Sequence, residues 1–345
     1  MTTDAERNRI SSQLFPAGIP RLWCPVITHY MPDGSIDTVR MERHIRALAP
    51  YIGGLLVPGS TGDGWELPRA MKLALLDMVL PLAATLRLPV LAGLLERTTD
   101  DMLSFADALG SRIRPRNAPT ARRDTDGAAA CGIVCCAPTG AGLDQDTILD
   151  GLSRVLDLGL PTALYQLPQI TGNLISPATA AALADRFANF VMLKDSGGND
   201  EIALAAGTRH EVDLGGVFLV RGAETAYASW YEPAGPYNGF LLSTANWLAP
   251  QLAQVVAGTA DSDLNRRIDA AVNAAFGLVA GYPTGNAFAN SARLMDQVMA
   301  YGARAATMPG PCSRDGTAMP ESLVTGAVAL ASEWQILPAR GYAET

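Results

Sequence analysis

The chain has 345 residues, of which 48% are hydrophobic and 17% are charged. This composition excludes a disordered protein and leaves room for one large barrel or two ordinary domains. A formal net charge of −8 argues against a nucleic-acid or anionic-membrane surface, and no apolar run approaches the ~20 residues of a membrane span. We therefore expect no nucleic-acid or membrane partner. Because the first residues lack the apolar core of a signal peptide, we also expect a cytoplasmic protein.

Short apolar runs alternate with longer amphipathic stretches along most of the chain. The predicted strands are Trp23–Thr28, Gly54–Pro58, Pro89–Gly93, Gly132–Cys136, Thr162–Tyr165, Val191–Lys194, Leu214–Leu219 and Gly239–Ser243. The predicted helices between them are Thr38–Tyr51, Pro68–Leu80, Thr99–Leu109, Gln145–Leu156, Ser176–Phe187, Glu201–Ala206 and Glu224–Tyr231. Strands this short and continuous, each separated by a helix, are typical of parallel βαβ units buried on both faces.

Eight such units predict an α/β fold, the (β/α)8 TIM barrel, with a C-terminal helical extension. A doubly wound sheet is the structural alternative. It would normally carry a Gly-rich phosphate loop after the first strand, and the segment His29–Gly34 is not one. We expect residues 1–20 to form an N-terminal segment, residues 21–258 the barrel and residues 259–345 the extension. The last helices are predicted at Trp247–Ala257, Asp263–Ala280, Ala287–Tyr301 and Ser322–Trp334, with a Pro/Gly-rich connector at Met308–Gly316.

An Arg-rich insertion at residues 111–127 stands out from this pattern. It carries Arg112, Arg114, Arg116, Arg122 and Arg123. A basic patch could bind a polyanion, but the favoured interpretation is a solvated or disordered insertion. The insertion falls between a helix and the following strand, so a barrel would place it on the face away from the chemistry.

Metal or histidine chemistry is not expected from this sequence. The five cysteines form no CxxC pair, and the three histidines, His29, His44 and His210, are widely spaced. Three cysteines lie in Cys131–Cys136, which is predicted to be a buried strand, where cysteine mostly acts as a small hydrophobe. The chemistry must therefore use other groups.

Lysine is nearly absent: of 26 basic residues, only Lys72 and Lys194 are lysines. Lys72 lies inside a helical pattern, and chance survival in an arginine-rich composition explains it. Lys194 ends an apolar strand that breaks directly into a turn, where the alternative is a surface lysine with a buried stem. Arginine supplies charge anywhere but cannot become a neutral amine, whereas desolvation in an apolar barrel mouth favours the free amine of lysine. Lys194 is therefore the candidate nucleophile.

Two further strand ends fit an amine mechanism. Tyr165 ends the strand before that of Lys194, one βα unit earlier, so its phenol would lie near the amine and could move protons. Ser60 and Thr61, between two glycines after the second strand, offer hydroxyls and backbone N–H groups to a carboxylate. Each feature alone has an ordinary explanation, as a packed aromatic residue or a common turn. Thr61 joins Lys194 and Tyr165 as a catalytic candidate. Gly62, Gly222 and Ser243 are the further substrate-binding candidates at strand ends.

The ordered set of these motifs resembles the dihydrodipicolinate synthase / N-acetylneuraminate lyase family of Schiff-base aldolases. The motifs are Gly59-Ser60-Thr61-Gly62-Asp63, Tyr165-Gln166-Leu167-Pro168 with Thr171-Gly172, and Leu193-Lys194-Asp195-Ser196-Gly197. The resemblance implies a TIM barrel that forms a homo-oligomer (dimer or tetramer) and needs no cofactor or metal. It also implies a Schiff base from Lys194 to pyruvate or a related 2-oxo acid, with Thr61 and Ser60 on the carboxylate and Tyr165 as proton shuttle.

The chain also departs from this family. Asp63 replaces the usual glutamate, Pro138-Thr139-Gly140 stands where many members have paired tyrosines, and Gln169-Ile170 replaces an arginine typical of the synthase branch. Lysine-pathway synthase activity is therefore not expected. The leading hypothesis is an aldolase or a dehydratase acting on pyruvate or a 2-keto-3-deoxy sugar acid. The alternatives are a catalytically impaired barrel that binds a 2-oxo acid, and a phosphosugar enzyme, against which the charge of Glu224 argues.

Overall fold

The computed structural model describes residues 2–113, 129–230 and 235–344. Within these ranges, parallel strands follow one another around a closed barrel, and the eighth pairs with the first. The strands are β1 (Leu22–Pro25), β2 (Gly54–Val57), β3 (Val90–Gly93), β4 (Gly132–Cys136), β5 (Thr162–Gln166), β6 (Phe190–Asp195), β7 (Phe218–Arg221) and β8 (Gly239–Leu241). The predicted fold class, a TIM barrel with C-terminal helices, is confirmed.

The helices occupy nearly all the positions predicted for them. They are α1 (Thr3–Leu14), α2 (Thr38–Leu48), α3 (Arg69–Leu86), α4 (Thr99–Leu109), α5 (Gln145–Leu156), α6 (Pro168–Thr171), α7 (Pro177–Arg186), α8 (Glu201–Ala203), α9 (Tyr227–Trp230), α10 (Ala245–Val256), α11 (Ser262–Val279), α12 (Ala287–Tyr301) and α13 (Glu321–Glu333). The largest error concerns the seventh strand, predicted at Leu214–Leu219. Gly215 and Gly216 both have positive φ, which makes a turn, so β7 begins only at Phe218.

Side chains alternate between the barrel interior and the surrounding helices, as the period of a strand requires. Trp23, Leu56, Val134, Met192 and Leu241 fill the interior as one cluster. Their neighbours along the same strands belong to a second cluster, which packs beneath the helices. The interior is thus a packed core, and the open face for chemistry lies at the carboxyl ends of the strands, which we call the mouth.

Helix α1 was not predicted, and it lies at the opposite end of the barrel from the mouth. Ile10 and Phe15, near its end, join the interior cluster. Arg7 is fully buried, and its Nε donates a 2.8 Å hydrogen bond to the carbonyl of Phe190, the first residue of β6. This helix therefore packs against the base of the barrel.

The C-terminal helices pack on one another and on the barrel. Helix α10 lies against β1 and α12, and α12 contacts α11 and α13. Eleven of the fifteen residues of α12 are buried, among them Asn290, Arg293 and Asp296, so this helix carries polar groups into the protein. Among the described residues, no helix combines the length and apolar content that a membrane crossing needs. Most of the Arg-rich insertion lies outside the described residues. Arg112, at its beginning, forms an ion pair with Asp77.

Candidate active site

Lys194 and Tyr165 lie side by side in the mouth. They are paired in register on neighbouring strands β5 and β6, and both face the interior. Lys194 Nζ lies 4.0 Å from the centre of the Tyr165 ring, and the two residues are 4% and 3% exposed. Within the described ranges, the amine of Lys194 has no ion pair or hydrogen bond. It is therefore held by packing and by the face of the phenol ring, and no carboxylate of the described residues pairs with it.

Gly222, after β7, lies directly against the side chain of Lys194. Its N–H donates a 2.6 Å hydrogen bond to the carbonyl of Asp195, which brings the two strand ends together. A β-carbon at this position would lie 2.8 Å from Lys194 Cε and closer still to the hydroxyl of Ser196. The absence of a side chain at Gly222 thus leaves the space that the lysine occupies.

Asp195 points away from Lys194, on the outer face of β6. Its carboxylate accepts hydrogen bonds from the N–H of Gly197 (2.8 Å) and the hydroxyl of Tyr237 (3.2 Å). The Tyr237 hydroxyl also lies 2.7 Å from Asp200 Oδ1, so one proton is shared between two carboxylates. Burial raises the pKa of Asp195 above its ordinary value. This residue therefore supports the strand end and does not neutralise the amine.

The predicted carboxylate-binding loop follows β2 and faces the mouth. Ser60 and Thr61 are 2% and 5% exposed. The N–H of Gly62 is used within the turn, where it donates to the carbonyl of Gly59 (3.0 Å). Among the described residues, the N–H groups of Ser60 and Thr61 and the hydroxyl of Thr61 have no hydrogen-bond partner. Donors gathered at one turn suit a small anion such as a carboxylate, which accepts hydrogen bonds without giving any.

The carboxylate of Asp63 is committed to holding this loop. One oxygen accepts the hydroxyl of Tyr30 (2.6 Å) and forms an ion pair with Arg293, and the other accepts the amide N–H of Asn286 (2.9 Å). The same Asn286 amide donates to the carbonyl of Ser60 at 2.6 Å. Asp63 has a φ of 63° and is 2% exposed. The shorter carboxylate in the family motif is therefore a structural tie between the loop and helix α12.

The backbone N–H of Ser243, which follows β8, already donates a hydrogen bond within the protein. The carboxylate of Glu224 accepts this N–H, and it also accepts the N–H (3.3 Å) and the hydroxyl (2.7 Å) of Thr244. Burial raises the pKa of Glu224. In phosphate-binding barrels the donors of the seventh and eighth loops receive the phosphate. Here a carboxylate takes that place, which argues further against the phosphosugar hypothesis.

The loops after β4 and β5 contain no substitute for the paired tyrosines or for the arginine that many family members carry there. The Thr139 hydroxyl lies 3.1 Å from the carbonyl of Arg97, to which it donates. The side chain of Gln169, in the position of the missing arginine, donates to the carbonyl of Ser196 (3.2 Å). Both side chains are therefore used to hold backbone, and neither supplies a cation or a phenol to the mouth.

Two of the three histidines meet in the fold, contrary to the expectation from their spacing. Ligand atoms of His29, His44 and Asp296 lie within 4.8 Å of one another, and all three residues are buried. The histidine rings are 3.0 Å apart at His29 Nε2 and His44 Nδ1. Asp296 also accepts the guanidinium of Arg40 (2.8 Å) and the hydroxyl of Tyr342 (2.8 Å). Because Arg40 already provides a cation and the rings bond each other, we interpret this cluster as structural.

Sequence reasoning missed three residues of the mouth and its support. Trp65 donates its indole N–H to the hydroxyl of Ser60 at 2.9 Å, and Asn286 and Arg293 hold the same loop from α12. The one available signal was the run of polar residues at helical spacing that starts at the N-cap of α12. It comprises Asn286, Asn290, Arg293 and Gln297. A polar stripe of this spacing indicates that polar groups face a buried partner.

No protein-family model matches the chain. Curated relatives do match parts of it. It is 24% identical over 177 residues to the 4-hydroxy-tetrahydrodipicolinate synthase of Methanosphaerula palustris, which covers 50% of this chain and 55% of that protein. It is also 24% identical over 241 residues to the synthase of Agrobacterium fabrum, a match that covers 69% of this chain and 73% of that protein. A third relative is the probable 2-dehydro-3-deoxy-D-pentonate aldolase of Escherichia coli. It is 25% identical over 180 residues, which cover 50% of this chain and 52% of that protein. The chain spans about half the length of the first and third of these relatives.

Solved structures share the fold over nearly the whole chain. A prophage protein of the dihydrodipicolinic acid synthase family from Escherichia coli, in complex with pyruvate, superposes with a TM-score of 0.67 at 17% identity. A variant of the 2-keto-3-deoxygluconate aldolase of Sulfolobus solfataricus gives 0.69 at 16% identity. Each comparison covers 92% of this chain and 99% of the other. The chain is thus similar in sequence to dihydrodipicolinate synthases and to a sugar-acid aldolase, and the solved structures show that it shares their barrel fold.

Proposed function

We propose that this protein is a Schiff-base lyase that acts on pyruvate or a 2-keto-3-deoxy sugar acid through an iminium on Lys194. One observation carries the proposal: the amine of Lys194 is buried in the mouth without an ion pair in the described chain, 4.0 Å from the ring centre of Tyr165. An amine in this setting is suited to attack a carbonyl. The names of the relatives, synthases and sugar-acid aldolases, agree with a substrate of this class.

In the proposed mechanism, the neutral amine of Lys194 attacks the C2 carbonyl of the substrate. The resulting carbinolamine loses water and becomes an iminium, with Tyr165 moving the protons. The iminium then accepts the electron pair of the breaking C3–C4 bond while Tyr165 takes the proton of the C4 hydroxyl, so that an aldehyde leaves as the enamine forms. Return of this proton to C3 converts the enamine into the final iminium. In a dehydratase, the C3 proton leaves first, and the enamine pair then expels the C4 hydroxyl with a proton as water. Hydrolysis of the final iminium releases the product and restores the amine.

The remaining predicted residues have defined places in this proposal. Ser60 and Thr61 hold the substrate carboxylate through their N–H groups and hydroxyls, and Gly62 shapes the turn. Gly222 leaves room for Lys194 and the substrate at C2. Ser243 contacts the substrate from β8 through its side chain, since Glu224 occupies its N–H. Fixing amine and carboxylate in one pocket supplies much of the rate.

The proposal also limits the substrate. The carboxylate of Glu224 at the eighth loop disfavours a phosphorylated sugar acid. Gln169, whose amide is bonded to the carbonyl of Ser196, offers no charge to a second carboxylate, so lysine-pathway synthase activity is not proposed. By similarity to the family, we infer a cytoplasmic homo-oligomer, a dimer or tetramer.

Borohydride reduction in the presence of pyruvate tests the proposal. We expect an adduct of pyruvate mass on the peptide that contains Lys194, and none on Lys72, whose ammonium donates to Leu95 O (2.8 Å) and pairs with Glu96 (3.1 Å). Lys194→Arg should abolish the adduct with the fold intact, and Lys72→Arg should retain it. Tyr165→Phe should form it more slowly, by about 100-fold or more. Absence of an adduct with every one of several 2-oxo acids would refute the proposal.

Turnover assays then separate the proposed lyase from the impaired binding barrel. The panel should contain 2-keto-3-deoxy sugar acids for cleavage and dehydration, and pyruvate with several aldehydes for addition. A semialdehyde that carries a second carboxylate serves as the synthase control and should react poorly. An adduct at Lys194 without turnover of any substrate would favour the binding barrel.

A further inference from the structure

We propose that Trp65 is a positioning residue that directs the hydroxyl proton of Ser60 at the carboxylate of the substrate. The inference rests on the function proposed above and concerns how the same site binds its 2-oxo acid. Trp65 Nε1 lies 2.9 Å from Ser60 Oγ, and Ser60 is 2% exposed. Among the described residues, this is the hydrogen bond of the Ser60 side chain.

The direction of this hydrogen bond is fixed by chemistry. An indole N–H can donate but cannot accept, so the hydroxyl of Ser60 must be the acceptor in the pair with Trp65. The hydroxyl proton of Ser60 therefore remains available for donation, and among the described residues it has no acceptor. A substrate carboxylate accepts only, so it completes a one-way series from indole to hydroxyl to carboxylate. Each hydrogen bond in such a series polarises the next.

The backbone of Ser60 is held as firmly as its side chain. The amide of Asn286 donates to the Ser60 carbonyl at 2.6 Å, and the turn is closed by the N–H of Gly64, which lies 2.9 Å from the Gly59 carbonyl. This turn brings Trp65 back over Ser60. Trp65 is half-buried and packs against the interior cluster, so its ring has little freedom to swing away. The hydroxyl is therefore preorganised, which lowers the entropic cost of binding.

A tryptophan in this place also limits what Ser60 can do. A phenol or a water beside a hydroxyl can pass a proton onward, but an indole N–H does not release its proton at ordinary pH. Ser60 therefore binds the carboxylate without serving in proton transfer, which is left to Tyr165. Loss of the indole N–H should accordingly weaken substrate binding and leave the maximum rate and its pH dependence unchanged.

The test measures the rate of borohydride trapping against pyruvate concentration. Trp65→Phe keeps an aromatic ring and removes the N–H, and we expect half-saturation to rise about tenfold with the limiting rate changed less than about twofold. Ser60→Ala should raise half-saturation by at least as much. In the double variant, Trp65→Phe should add nothing to Ser60→Ala, because its effect passes through that hydroxyl. Trp334→Phe, at a half-buried indole outside the mouth, is the matched control and should behave as the wild type.

Trp65→His, which retains a ring N–H, provides the rescue and should recover part of the lost affinity. The proposal is overturned if Trp65→Phe leaves half-saturation unchanged, if the two single effects add in the double variant, or if Trp65→His binds no better than Trp65→Phe. If the wild type itself traps pyruvate, these outcomes refute the role of Trp65 alone. If the wild type traps no 2-oxo acid, the proposed function falls and this inference falls with it.

Discussion

Gly222 and Lys194 are in contact across neighbouring strands, so closely that a β-carbon on Gly222 would lie 2.8 Å from Lys194 Cε. Real β-carbons do not approach another atom to this distance, so any side chain at Gly222 must displace the lysine. The geometry of the amine is therefore set by a residue that has no side chain to take part in the chemistry.

Replacing Gly222 by alanine should accordingly disable the amine. We expect Gly222→Ala to slow borohydride trapping with pyruvate by about 100-fold, because a misplacement of the order of 1 Å at a reacting group has this effect. The circular dichroism spectrum should be unchanged. Gly277→Ala, in helix α11, is the matched control, because a β-carbon there would meet no described atom within 4 Å. It should trap at the wild-type rate and gain up to about 1 kcal/mol in stability. Wild-type trapping by Gly222→Ala would contradict the contact.

Removing the carboxylate of Glu224 should create an anion site. Glu224→Ala frees the backbone N–H groups of Ser243 and Thr244 before helix α10, and it should cost about 1–3 kcal/mol in the free energy of unfolding. Inorganic phosphate at millimolar concentration should then raise the Tm of the variant and leave that of the wild type unchanged. Glu333→Ala, at an exposed position, is the control and should show neither effect. An equal response of the wild type to phosphate would show that Glu224 does not occupy the site.

The ion pair between Asp63 and Arg293 should behave as a buried pair. Their side chains are 2% and 1% exposed, so Arg293→Met leaves an unpaired carboxylate inside the protein. We expect a loss of about 3–5 kcal/mol in urea unfolding. Asp63→Asn in the Arg293→Met background should restore part of it, since asparagine tolerates the positive φ of this position and carries no charge.

The matched control for this pair is Arg266→Met. Arg266 forms an ion pair whose side chains are mostly exposed, and its loss should change stability by less than about 0.5 kcal/mol. If the effects of Asp63→Asn and Arg293→Met simply add in the double variant, the two residues are not energetically coupled.

The histidine cluster should make the protein sensitive to mild acid. Burial lowers the pKa of both His29 and His44, whereas the unfolded chain titrates near 6.5. Below that pH the unfolded state binds protons that the native state does not, so stability is lost as the pH falls through 6.5. Burial by itself raises the pKa of Asp296, but the neighbouring His44, Arg40 and His29 outweigh it and hold this pKa at about 2, so the carboxylate stays ionised throughout the window.

Urea unfolding at pH 7.5, 6.5 and 5.5 measures this effect. Below pH 6.5, each histidine should lower the free energy of unfolding by up to about 1.4 kcal/mol per pH unit. His29→Asn should therefore reduce the slope of stability against pH by about that amount. His210→Asn is the control, because His210 is exposed and its φ of 54° suits asparagine. The same slope in the wild type and in His29→Asn would contradict the explanation.

Local sequence patterns were sufficient for the barrel and for the meeting of Tyr165 with Lys194. Strand periodicity places residues at equivalent strand ends on the same face, and one βα unit separates neighbouring strands. The observed register pairs these two residues directly. The roles assigned to the site residues stay predictions, which the trapping experiments address.

Long-range contacts could not be predicted in this way. The hydrogen bond from Asn286 to Ser60 joins residues 226 positions apart, and the ion pair of Arg293 with Asp63 joins residues 230 apart. Helix α1 escaped prediction because its sequence is mostly polar, and its buried Arg7 finds carbonyl partners only in the folded chain. Two histidines that look unrelated in sequence meet for the same reason.

Residue type and short-range periodicity are enough to place Lys194 at the end of a buried strand, beside a tyrosine. They also place the Ser60-Thr61 turn at the end of an earlier strand, on the same face of the barrel. The groups that surround these residues follow from the folded chain alone. They are Gly222 against the lysine, Trp65 on the hydroxyl of Ser60, and Asn286 from the start of α12 on its carbonyl. Such contacts depend on how distant segments pack, and burial then forces each polar group to find a partner.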